Sequence, residues 1–478
     1  MSPPLPFLLG LLVVLANREL TTTLAGESAN GRLLPFAAML LLPVTLAFAG
    51  TATARAELVH GTRPPVAPRV LLRLSALATP LSVYCVYAFG GYGDFVTQLT
   101  WNSHLAGALL SVAPIYVAEL LRIPRATLLQ ALVEIAEIGA GRRVAKVHLP
   151  TAEHVRPLVR LRRGWPLVAL LPITMLGLGL ELLQLHRELY VFCLGTSVGT
   201  TLSSLLFLLL VAAVLPFWFR CVFALDPRLP EPVGALLRAT AAALRFPPAR
   251  VLLLPTGMRA LNAMMVGPLP IGRLLCLTDG LVDALDPQSL RGVLAHEIGH
   301  ARMGHPALLS VLAVVVPLLA IVPLRLLDLD SIGAAASIGA TLLTMTIVWL
   351  LVRSLAHRFE HEADIASVRA LGAEPCCRAL AVVSRLAVPV THGVIGRITS
   401  LHPEEGTRIA VMQRYEREEE FRGSFDRRGR QLRLGIAALV AVALGAAAWS
   451  WRSDWRFERI VVDFHTGRFA QAAAALAA

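Results

Sequence analysis

A chain whose apolar runs repeatedly reach bilayer length has few ways to fold. A segment buried in lipid must satisfy its own backbone hydrogen bonds, and it does so as a helix of roughly 20 residues. Runs of this kind cover 33–50, 74–92, 105–121, 165–184, 190–219, 306–327, 332–352 and 434–451. The shorter run 5–16 is a weak first span or an interfacial segment, so roughly eight or nine membrane helices are predicted. With 56% hydrophobic and only 16% charged residues, and a mean hydropathy of +0.65, a single water-soluble globule is excluded. The fold class is mainly α: a polytopic helical membrane protein.

The net charge of +12 is carried almost entirely by arginine, since Lys146 is the sole lysine. Without aromatic interleaving or a basic helix pattern, this charge orients membrane loops and meets anionic lipid; it does not indicate nucleic acid. The stretch 122–164 carries Arg122, Arg125, Arg142, Arg143, Lys146, Arg156, Arg160, Arg162 and Arg163, whereas 93–104 carries no basic Arg or Lys. Read as a loop, 122–164 therefore faces the cytoplasm. Two spans further on, 220–305 returns to that side. The hairpin 306–352, with its acidic turn at Asp328 and Asp330, crosses out and back, so 353–433 shares a compartment with 220–305. The six cysteines show no metal-knuckle spacing, which fits a reducing compartment.

Within 220–305, the run His296-Glu297-Ile298-Gly299-His300 concentrates the chemistry. On a helix, the i, i+4 spacing stacks both imidazoles on one face, where they can reach one metal ion. Glu297 projects beside that face and can take a proton from the attacking water without being a ligand. Asp286 and Pro287 signal the helix start, and Leu290, Val293, Leu294 and Ile298 supply its buried side. Upstream, 251–255 and 274–278 are predicted strands, with 262–266 as a possible third, so a small α+β domain surrounds the motif. An edge strand beside such a helix can accept an extended peptide.

A catalytic zinc site uses three protein ligands and an open position. The candidate third ligand lies after the hairpin, in Arg358-Phe-Glu360-His361-Glu362-Ala363-Asp364. Glu360 can bind the metal while Asp364, one helical turn on, orients a ligand imidazole. Glu362 is the rival ligand, but its i+4 neighbour is Ala366, which can accept nothing. His361 and His305 are expected to be polar-face or helix-end histidines.

These residues carry a resemblance. Asp279-Gly-Leu-Val-Asp-Ala-Leu-Asp286, the His296–His300 motif, Arg358-Phe-Glu360-His-Glu-Ala363-Asp364, and His402-Pro403 with Arg408-Ile409 are similar to the successive motifs of the HtpX-like and CAAX-prenyl-protease family of membrane zinc metalloproteases. The match covers about 251–411, and His357, where a small residue is more familiar, departs from it. The resemblance implies a zincin-like (gluzincin) catalytic domain with one Zn²⁺ per chain on His296, His300 and Glu360. It also implies Glu297 as general base, with His402 and Arg408 approaching the site, where His402 can help to hold the oxyanion.

The expected organisation is a membrane region at 1–219, the first part of the catalytic domain at 220–305, a transmembrane hairpin at 306–352, the second catalytic part at 353–432, and a C-terminal span and tail at 433–478. The function expected is an integral-membrane zinc metalloendopeptidase of the cell (inner) membrane. It would cleave membrane-associated or misfolded proteins at the cytoplasmic face, with a protein or peptide substrate and the bilayer as partners. An intramembrane protease is disfavoured by Arg291 and Arg302 on the motif helix. The alternative from another class is a membrane transporter or a sensor or scaffold that retains an inert zinc site.

Overall fold

The computed structural model describes residues 7, 14, 37–60, 65–101, 103–139, 150–258, 260–312, 315, 334–386 and 402–477. Most of the expected run 5–16, the stretch 140–149, most of the span 306–327 and the turn at Asp328 and Asp330 lie outside these residues. The chain divides into two compact units, 1–192 with 221–223, and 193–220 with 224–478.

In the first unit, the helices α1 (Leu42–His60), α2 (Val66–Ala88), α3 (Tyr92–Thr100), α4 (His104–Gly139), α5 (Ala152–Gln184) and most of α6 (Arg187–Gly195) follow in chain order. α4 packs against α1, α2 and α5. Its buried residues Leu128, Leu129, Leu132 and Val133 meet Ala54 and Val155. The 36 residues of α4 and 33 of α5 make helices of about 50 Å, against about 30 Å of hydrocarbon. The basic stretch 122–164 is therefore helical at both ends, which corrects its reading as a loop. The apolar face of α4 simply continues past Leu121. Arg122 on that extension is buried and makes a two-pronged pair with Glu119 at 2.8–2.9 Å.

In the second unit come α7 (Ser197–Phe223, to Arg220), α8 (Val233–Ala243), the strands β1 (Val251–Leu254), β2 (Ala263–Val266) and β3 (Leu274–Thr278), and then α9 (Asp279–Ala284) and α10 (Pro287–Met303). They are followed by α11 (Ala334–Leu371), α12 (Ala373–Leu386), α13 (Glu405–Arg417), α14 (Glu419–His465) and α15 (Phe469–Ala477). The apolar run 190–219 is not one helix. Thr196 adopts an extended conformation and its side chain caps α7 by accepting from Gly199 N at 2.9 Å, which ends α6 before it.

The sheet order is β1-β3-β2, with β1 parallel and β2 antiparallel to β3, placing Leu252 and Met264 on either side of Cys276. The central strand β3 is wholly buried. The outer edge of β1 is bridged by Asp226 to Leu253, whereas β2 is the other edge, next to α10. Leu275, Leu277, Leu290, Leu294 and Ile298 share one core. Six helices among the described residues are long and apolar enough to cross a membrane: 39–58, 66–88, 104–136, 152–184, 197–223 and 419–446. The expected spans 332–352 and 434–451 are continuous with longer helices. α11 runs on through the segment that carries Glu360, and α14 extends beyond its apolar stretch at both ends. The chain is a multi-pass helical membrane protein with a small α+β domain.

Candidate metal centre

α10 starts where its caps dictate. Asp286 accepts hydrogen bonds from Gln288 N and Ser289 N at 3.0 and 3.1 Å, and Pro287 occupies the first turn, where an N–H has no helical partner. At the other end Gly304, with φ 73°, stops the helix, and Arg273 and Arg433 donate to the terminal carbonyls of Ala301 and Met303 at 2.8 and 3.2 Å. Leu290, Leu294 and Ile298 turn one side of α10 to the core, leaving His296 and His300 together on another face.

Gly299 lets α11 approach that face. A Cβ there would stand 2.9 Å from Ala363 O and 3.1 Å from Ala366 Cβ, so the two helices touch backbone to backbone. Ala363 is fully buried at the contact. Glu360 and Asp364, on one face of α11, are thereby brought to the two imidazoles.

The resulting distances are short and mutually consistent. His296 Nε2 and His300 Nε2 are 3.2 Å apart, and Glu360 lies 3.6 Å from the first (Oε2) and 3.4 Å from the second (Oε1). Bonds of ~2.0–2.1 Å at a tetrahedral angle separate neighbouring donors by about 3.3 Å. The three side chains thus already have the spacing of zinc ligands. They are the one His/Cys/Asp/Glu group of this kind among the described residues. Glu360 Oε2 is buried and accepts no well-formed hydrogen bond, although the Arg408 guanidinium lies 3.2 Å away.

Asp364 Oδ1 is 2.9 Å from His296 Nδ1, which places a proton on Nδ1 and turns Nε2 toward His300 and Glu360. Asp364 is in turn held by Arg408, whose Nε and Nη2 donate to its two oxygens at 2.8 and 2.6 Å. Arg408 Nη1 also reaches Glu360 Oε2 at 3.2 Å. His402 Nδ1 lies 3.1 Å from Glu360 Oε1, with 70% of its side chain exposed, so it stands at the mouth of the site. Glu297 is half-buried on the helix turn between the two histidines.

The electrostatics favour added positive charge. Burial works against the charged form of His296, yet Asp364 and Glu360 raise its pKa to about 10. Burial likewise opposes ionisation of Glu360, but His296, His300 and His402 hold it far below the usual carboxylate range. Asp364 falls to about 2 against its burial, through Arg408 and His296.

Glu362 points away from this cluster, toward His305 and Arg433 at 3.2 and 2.8 Å. His361 is half-buried and outside the cluster. Sequence reasoning missed the partners of His305, Arg273 and Arg433. For His305 a signal existed, because a glycine just past the last helical turn sends the following residue back toward the helix end.

The fold and site together define a multi-pass helical protein with a His/His/Glu group spaced as metal ligands. Residues 229–416 match the model of peptidase family M48. The chain is 33% identical over 85 residues to a protease HtpX homolog of Moorella thermoacetica, covering 18% of this chain and 28% of that protein. It is 32% identical over 103 residues to one of Syntrophobacter fumaroxidans, covering 20% and 36%. The chain thus spans about a third of the length of the curated relatives it matches. The crystal structure of S. mikatae Ste24p aligns with a TM-score of 0.45 at 15% identity, over 80% of this chain and 98% of that one.

Proposed function

We propose that the chain is a zinc-dependent metalloendopeptidase with one Zn²⁺ held by His296, His300 and Glu360. The observation that carries this is the 3.2–3.6 Å spacing of the three donor groups, close to the edge of a zinc tetrahedron. When bound, zinc supplies Lewis-acid polarisation of the scissile carbonyl and lowers the pKa of the attacking water. Glu297, one residue along from His296, takes the water proton and passes it to the leaving amine. Asp364, gripped by Arg408, holds His296 in the tautomer and orientation that present Nε2. His402, at the open side, donates to the oxygen that gains charge as the carbonyl becomes tetrahedral.

The substrate is an extended peptide lying along the edge of β2, the strand beside α10, by main-chain hydrogen bonds. Its source is a membrane-associated or misfolded protein, because the catalytic parts 220–305 and 353–432 are continuous with membrane helices. The site faces the cytoplasm of a cell (inner) membrane. Arg427, Arg428, Arg430 and Arg433 directly precede the apolar stretch of α14, which marks that end as the inner one. The reading is tested with purified full-length protein and casein. Wild type cleaves, a chelator stops it, and Glu297→Gln keeps its metal while turnover falls on the order of 10²–10⁴-fold. Zinc-dependent cleavage by Glu297→Gln at the wild-type rate would refute the assignment of the base.

A further inference from the structure

The two imidazoles of the cluster are braced differently. His296 meets its carboxylate directly, whereas His300 Nδ1 faces His305 Nδ1 at 3.0 Å, and His305 Nε2 faces Glu362 Oε2 at 3.2 Å. His305 and Glu362 are 1% and 2% exposed. Gly304 makes the arrangement possible. Its left-handed conformation ends α10, and helical residues 305–312 start in a new direction, folding His305 back under His300. The imidazole of His305 stacks on Phe359 with centroids 4.4 Å apart and planes 10° from parallel, which fixes the ring plane.

The proton positions follow from the far end inward. Arg433 Nη2 donates to Glu362 Oε2 at 2.8 Å and Arg358 Nε to Oε1 at 3.2 Å, while Arg358 is itself seated over the Phe425 ring. On that side Glu362 borders a cavity of about 350 Å³ shared with Arg369 and Arg430. Glu362 is consequently an acceptor only. His305 must donate to it from Nε2, which leaves His305 Nδ1 as a lone pair. That lone pair can be filled only by His300 Nδ1–H, and the tautomer with the proton on Nδ1 presents Nε2 to the cluster.

We infer that His305 and Glu362 form a positioning relay that sets the tautomer and orientation of His300 as a metal ligand. The relay does for His300, through one additional imidazole, what Asp364 does for His296. It explains why α11 carries Glu362 between Glu360 and Asp364 although Glu362 points away from the cluster.

This inference rests on the zinc reading above, and the test separates the two. Zinc affinity of the detergent-purified full-length chain is measured by competition with a chromogenic chelator, alongside the melting temperature of each metal-free form. His305→Phe preserves the stack on Phe359 but removes both hydrogen bonds. It should bind zinc on the order of 10–100-fold more weakly than wild type. His305→Gln, which can accept from His300 and donate to Glu362, should recover most of that loss at a similar melting temperature. Equal zinc affinity in wild type and His305→Phe would overturn the relay while leaving the zinc site intact. If His305→Phe does not fold, Glu362→Gln decides in the same assay: about tenfold weaker binding supports the relay, and wild-type affinity overturns it. A wild type that binds no zinc would instead remove the zinc reading itself.

Discussion

His296 shows how a single side chain acquires its properties here. Its Nδ1 is occupied by Asp364, its Nε2 lies among His300 and Glu360, and Arg408 locks Asp364 from behind. Replacing Asp364 by Asn removes the charge that fixes this imidazole and leaves Arg408 with a neutral partner. Asp364→Asn should therefore weaken zinc binding on the order of 10–100-fold in chelator competition. Unchanged affinity would mean that His296 needs no outer carboxylate. The placing of His296 and His300 on one face was legible in the sequence because i, i+4 spacing on a helix fixes geometry locally. That Glu360 and Asp364 share a face was legible for the same reason, and the structure brings Glu360, not Glu362, beside the two imidazoles. The partner of His305 was not legible, because Glu362 lies 57 positions away.

At the scale of elements, the site depends on how closely α10 and α11 meet. The contact is set by Gly299 against the Ala363 backbone, with Ala366 alongside. A methyl group at position 299 has to push the helices apart by several tenths of an ångström. Gly299→Ala should lower the stability of the catalytic domain by about 1–3 kcal/mol and weaken zinc binding as well, read from thermal melts with and without metal. A variant that melts and binds like wild type would show that the helix spacing is not limiting. Strand positions were readable from short apolar runs bounded by Pro and Gly, whereas the order β1-β3-β2 was not. Strand order is decided by contacts between residues distant in sequence, and no local pattern encodes it. The same limit explains the stretch 122–164. Its arginines suggested a loop, yet Arg122 is buried on α4 with Glu119, because a charge paired inside a helix contact leaves the same sequence signal as one in water.

Across the whole molecule, long helices join apolar stretches directly to the segments that build the candidate metal centre. α11 reaches Glu360 without a break from its apolar start, and α14 joins the arginine cluster 427–433 to an apolar stretch and then to the tail. If α14 crosses once, its two ends lie on opposite sides. A protease-protection assay with epitope tags inserted after Arg427 and after Arg468 should find the first tag accessible only from the cytoplasmic side and the second only from outside. Protection of both from the same side would remove α14 as a span. The bilayer-length runs made the membrane class legible at once, while the joining of apolar stretches to the helices that carry the cluster appears only in the folded chain. The claim on which everything turns is that residues 296, 300 and 360 close on one ion. Elemental analysis of the purified full-length protein and of Glu360→Ala, exchanged into metal-free buffer, tests it most directly. The account predicts one zinc per wild-type chain and a large loss in the variant; a wild type without stoichiometric zinc, or a variant that keeps it all, would contradict it.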